Sequence, residues 1–123
     1  MNRATPCCSG ADPNNKQERD EQLSTIDPTQ PGKVIRFTAK PGHGDELFAK
    51  CTEASARSSA VDKSIISRSE DDPDTMWAME WFTSDEALAA QDADPAWDKI
   101  HAEIGALLAD FSSVNVRAVY THL

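Results

Sequence analysis

Among the side chains able to do chemistry, His101 has the most suggestive setting. Trp97, Ile100, His101, Ile104, Leu107, Leu108 and Phe111 recur at helical spacing, so the imidazole sits on an apolar helical stripe. Two other stretches supply apolar residues at strand spacing. Ile35 and Phe37 alternate in one, and Trp77, Met79 and Trp81 in the other. Facing Trp97, His101 and Ile104, these five predict an apolar cleft with one titratable group, the general profile of a small-molecule site. Such a site suits proton removal from an electron-rich phenol or quinol, whose anion then reduces oxygen directly. The protein's part is to orient the substrate, exclude water and stabilise the anion. A phenol of pKa ~10 giving its proton to an imidazole of ~6.5 faces a deficit of about 5 kcal/mol. Polyphenols acidified by neighbouring carbonyls are therefore the better substrates. The plainer alternative is a hydrogen-bonded boundary histidine, with the tryptophans as core packing.

The remaining reactive groups point to less. His43 lies in a glycine-flanked loop and His122 near the end, both expected in solvent. Cys51 reads as a small core residue without a base beside it. Cys7 and Cys8 adjoin in a polar tail; with three cysteines in all, each is expected to be a reduced thiol. Glu70, Asp71, Asp72 and Asp74 lack the ligand spacing and central glycine of an EF-hand loop, so a solvated turn is expected and no metal site. Tyr120 reads as packing.

A net charge of −9 argues against nucleic acid, whose phosphates call for a basic surface. No run approaches the ~20 apolar residues of a membrane span, and Met1 to Gly10 lacks the apolar core of a secretory signal. The expected location is cytoplasmic. With 123 residues the chain accommodates one domain.

The elements that would position His101 can be read in order. Residues 1–32 are poor in large aliphatics and read as a flexible extension, with a short helical turn around Lys16 to Leu23. The domain, 33–123, opens with a strand from Val34 to Lys40, stopped by Pro41–Gly42–His43–Gly44. A helix from Asp45 to about Ser59 follows, then a strand from Val61 to Ser69. The next strand, Thr75 to Phe82, is apolar on both faces, so both faces must be covered. Thr83 and Glu86 are placed for a capping box. Asp94–Pro95 restarts the helix, which is expected to run through Phe111. The last strand is expected from Val114 to Thr121. The order β-α-β-β-α-β is the ferredoxin-like split βαβ pattern, an α+β fold with an antiparallel sheet, the first and third strands central and the helices on one face. Val34, Met76, Ala78 and Phe82 are assigned to the other face, covered by a second copy in a homodimer. Arg36 and Glu80 are expected to pair there.

Several motifs then occur together: Lys40-Pro41-Gly42, Ser69 to Asp74, Met79 to Leu88 (M-E-W-F-T-S-D-E-A-L) and Asp94-Pro95-Ala96-Trp97. From roughly Lys33 to His122 they resemble the antibiotic biosynthesis monooxygenase domain, a dimeric α/β-barrel family. The resemblance implies a cleft between the sheet and the second helix. The family includes cofactor-independent oxygenases of polycyclic phenols, quinol monooxygenases, haem-degrading enzymes and a sugar isomerase. Trp81 matches the tryptophan lining the cleft in oxygenase members, and His101 falls where haem-degrading members place their iron ligand. Those members carry an asparagine on the first strand, where this sequence has Ile35. The implied activity is cofactor-independent oxygenation of an aromatic phenol or quinol. Haem binding or degradation, and a non-catalytic dimer holding a small apolar molecule, are the alternatives.

Overall fold

The computed structural model describes residues 25–123. The chain builds β1 (Gly32–Ala39), α1 (Gly44–Arg57), β2 (Val61–Arg68) and β3 (Thr75–Phe82), then α2 (Asp85–Asp92), α3 (Pro95–Gly105) and β4 (Leu108–Val116). The sheet is antiparallel in the order β2-β3-β1-β4, so β1 and β3 are central, and the fold is ferredoxin-like α+β. The expectations for Cys7, Cys8 and the turn at Lys16 to Leu23 lie outside the described residues.

Local chemistry explains most boundaries. Gly42 takes a φ of +83° and turns the chain out of β1. The Asp74 carboxylate accepts from the Gly42 and Gly44 amides at 3.3 and 3.2 Å, tying that turn to the start of β3. Asp72 accepts from Thr75 Oγ1 at 2.7 Å and from the Asp74 amide at 3.0 Å, so its carboxylate organises the hairpin turn. Asp94 caps α3 through the Ala96 amide at 2.9 Å with Pro95 in the first turn, as expected.

Several expectations are corrected. The cap of α2 is Ser84, whose hydroxyl accepts from the Ala87 amide at 3.0 Å, so Thr83 and Glu86 form no capping box. The second helix stops at Gly105 rather than Phe111. Leu107 N–H closes a tight last turn on Ile104, and the Leu107 carbonyl accepts from the Lys40 amide at 2.8 Å, which draws the chain straight into the sheet. The last strand therefore begins at Leu108, earlier than expected, and ends at Val116; Val119 and Tyr120 are exposed, so Tyr120 packs against little.

The core lies between sheet and helices, where Ile35, Phe37, Ala39, Leu47, Cys51, Met76, Ala78 and Leu107 form one cluster. The described part of the N-terminal segment lies on this domain: Ile26 is buried, and the Gln30 amide donates to Asp62 and to the Phe82 carbonyl.

The register corrects the assignment of faces in β3. Ile35 pairs with Ala78, Phe37 with Met76 and Lys33 with Glu80. Directly opposed residues share a face, so Met76, Ala78, Glu80 and Phe82 lie under the helices with Ile35 and Phe37. Trp77, Met79 and Trp81 lie on the other side with Val34 and Arg36. The side-chain period is two, so one misassigned residue exchanges the whole strand. The expected Arg36–Glu80 pair is thereby excluded. Arg36 instead reaches across to Asp110 of β4 at 2.8 Å, and its bond to that carboxylate holds the Asp110 acid below the usual range.

Candidate active site

Between the helix-facing side of the sheet and α1, α2 and α3 lies a cavity of about 430 Å³. β1 and β3 provide its floor: Lys33, Ile35 and Phe37 beside Met76, Ala78, Glu80 and Phe82. Cys51, Ala54, Ser55 and Ser58 face it from α1 and its C-terminal end, as do Leu88, Gln91 and Asp92 of α2. α3 contributes Trp97, His101 and Ile104, and β4 contributes Leu108, Phe111 and Ser113.

The walls are held by specific contacts. Phe111 meets Phe37 edge-on, with ring centroids 5.3 Å apart and planes at 64°. Trp97 and His101 lie one helical turn apart with ring centroids 6.0 Å apart. The Ser58 hydroxyl donates to Gln91 Oε1 and accepts from the Ala60 and Val61 amides, each at 3.1 Å. One side chain thus joins the end of α1, the start of β2 and α2.

Of the residues expected at the site, Ile35, Phe37, Trp97, His101 and Ile104 line the cavity together. His101 keeps an exposed side, so it stands at the rim. Trp77, Met79 and Trp81 are on the opposite side of the sheet, and their placement in the cleft is corrected by the register above. Trp81 lies against Gly32, where an added Cβ would come within 2.7 Å of the indole nitrogen. That nitrogen is buried and has no hydrogen-bond partner among the described residues.

Sequence reading missed the polar part of the floor. Glu80 is flanked in register by Lys33 on β1 and Ser64 on β2, and Asn115 of β4 pairs with Lys33. A polar row therefore crosses all four strands on the helix-facing side. The next row, Ser113, Ile35, Ala78 and Ile66, is apolar but for its serine at the β4 edge. Ser55 of α1 closes over the polar row, 3.0 Å from Ser64 Oγ and hydrogen-bonded to the Glu80 carboxylate. Burial raises the Glu80 pKa above the ordinary value; the Ser55 bond and the charge of Lys33 offset only part of this. Burial likewise pushes the Cys51 thiol up to about 12, with the Glu80 charge adding to it. Cys51 is thus a neutral wall residue and no nucleophile. The signal that could have located Glu80 is face-sharing: once Met76 and Ala78 are taken as floor, Glu80 follows.

A half-open, largely apolar cleft, with Glu80 and Lys33 side by side on the floor and an imidazole at the rim, can bind an aromatic molecule and accept its proton. Residues 32–103, more than half of the chain, match the family model described as antibiotic biosynthesis monooxygenase. The chain belongs to that family. Three solved structures illustrate the shared fold. A protein from Chloroflexus aurantiacus J-10-fl bearing the same family designation is 23% identical, with 76% of this chain and 96% of that one covered and a TM-score of 0.67. SnoaB, a cofactor-independent oxygenase from Streptomyces nogalater solved as a point mutant, is 21% identical over 76% and 96% of the two chains, with a TM-score of 0.63. PA3566 from Pseudomonas aeruginosa is 17% identical over 75% and 96%, also with a TM-score of 0.63. No curated protein sequence is detectably similar to this chain.

Proposed function

We propose that the protein is a cofactor-independent monooxygenase that oxidises a hydroxylated aromatic, a phenol or quinol, with molecular oxygen. The observation that carries this reading is the cavity of about 430 Å³, walled by Phe37, Phe82, Trp97 and Phe111, in a member of this family. Its size suits a molecule of two or three fused rings. His101 at the rim is the candidate base, and it can pass the proton on to solvent. For an anthrone-type substrate the atoms balance. The base takes one proton, the carbanion adds oxygen to give a peroxide anion, a proton returned from the base or solvent makes the hydroperoxide, and loss of water leaves the quinone: anthrone and oxygen give anthraquinone and water.

Haem has less support from the lining. His101 is there, but Ile35 puts an aliphatic side chain on the floor where haem-degrading members of the family would carry a polar group.

The unit is a homodimer on this reading. Ile65 (51%), Trp77 (45%), Met79 (38%) and Val114 (58%) are exposed together on the helix-free side of the sheet. A patch of this kind favours a second sheet packed against it. A cytoplasmic setting belongs to the same proposal; no helix among the described residues is long and apolar enough to cross a membrane.

The test is oxygen uptake with a panel of quinols and anthrone-type phenols. Consumption of one oxygen per quinone formed, reduced at least ~tenfold in His101→Ala, is the expected result. No uptake across the panel refutes the oxygenase reading.

A further inference from the structure

We propose that Glu80 is the acceptor that orients the ligand, taking the hydroxyl of a neutral aromatic on its carboxylate while the rings lie among Phe37, Trp97 and Phe111. The inference rests on the cavity being the ligand site, and it adds a substrate class and an orientation to that reading.

Four observations support it. Glu80 is the acid of the cavity floor; the other floor residues on β1 and β3 are apolar apart from Lys33. An ionised carboxylate can accept about four hydrogen bonds. Ser55 fills part of that capacity, and no ion pair involving Glu80 forms among the described residues. Acceptor capacity therefore faces the cavity. Finally, the neighbouring floor pairs, Ile35 with Ala78 and Phe37 with Met76, are apolar. A ligand donor directed at the floor therefore meets its acceptor at Glu80 and nowhere else on β1 or β3.

The surroundings of Glu80 define what is accepted. Lys33 faces it from β1 and neutral Cys51 from α1, while Asp92 of α2 and His101 of α3 line the same cavity. Burial already penalises the carboxylate's charge, as its raised pKa shows. A hydroxyl donor relieves that penalty; a second carboxylate from the ligand compounds it. The cavity should thus take naphthols and hydroxylated polycycles and reject aromatic carboxylates of equal size.

The experiment is anaerobic binding of 1-naphthol, 1-methoxynaphthalene and 1-naphthoate to the full chain, followed by calorimetry. Wild type is expected to bind 1-naphthol about tenfold or more tighter than the methyl ether, because a charge-assisted hydrogen bond is lost in the ether. Naphthoate should bind weakest. Glu80→Met should bring naphthol and ether to within about threefold of each other. Glu80→Gln, which keeps one acceptor oxygen and the shape, should retain an intermediate preference and serves if the Met variant does not fold. Equal affinities in wild type, a preference unmoved by either variant, or no binding of any of the three overturns the proposal. A Glu80-dependent naphthol preference in a protein without oxygen uptake refutes the oxygenase reading and leaves the anchor standing. Oxygen uptake without that preference does the reverse.

Discussion

The two faces of β3 contrast sharply although both are apolar. Met76, Ala78 and Phe82 are buried within a single chain, and Met76 is only 1% exposed. Trp77 and Met79, one residue out of phase, remain 45% and 38% exposed. Hydrophobicity alone therefore does not say which face is already covered. The covered face takes Met76, Ala78 and Phe82, over which the helices close. The open face presents Trp77 and Met79, suited to a flat partner surface, while Trp81 on the same side is already buried against Gly32.

The contrast can be broken most directly in the core. Met76→Ala should lower unfolding free energy by about 2–4 kcal/mol at every protein concentration, because it leaves a cavity within the chain. Trp77→Ala should cost an amount that depends on protein concentration, as expected for a surface buried between copies. Denaturant titrations at two concentrations check both. Met79→Lys combined with Ile65→Lys puts like charges from both copies across the proposed interface and should yield monomer in sedimentation analysis, with naphthol binding retained. A dimer of unchanged stability would remove the contrast.

Smaller effects sharpen it. Gly32→Ala forces a Cβ toward the Trp81 indole and should cost about 1–3 kcal/mol, with a shifted tryptophan emission as the local readout. Glu80→Gln tests the polar floor through pH. A carboxyl with a raised folded-state pKa holds its proton more tightly when folded, so its stability contribution is present below its ordinary pKa and is lost as pH rises through the folded value. The Gln variant should therefore melt a few degrees above wild type at about pH 8, and the difference should vanish near pH ~4. Smallest of all, Asp110→Asn removes an exposed partner of Arg36, and its melting temperature should match wild type.

The architecture was legible because the periods change cleanly. Pro41–Gly42 ends β1, Asp94–Pro95 starts α3, and a run without alternation marked β3 as central. Its two faces were not legible for the same reason: without alternation there is no phase, and only pairing with β1 supplies one. Leu107, Leu108 and Phe111 fit a helical stripe as well as a strand, which hid the start of β4; Gly105 was the available stop signal. Trp81 drew attention by size and family likeness, whereas the cavity-facing aromatic is its neighbour Phe82. His101 was found because a lone polar group on an apolar stripe stands out. Glu80 follows its strand, so an error of one residue in phase moves it to the wrong side.

The bond from Ser58 to Gln91 has a dynamic consequence. α2 forms part of the cavity wall, yet none of its residues is buried, and among its tethers are this bond and the exposed pair of Asp85 with Arg117. Regions so sparsely held open locally at a fraction of the global unfolding cost. Amide protons of α2 should thus exchange well before those of β1 and β3, so the wall that α2 supplies is the softest part of the cleft.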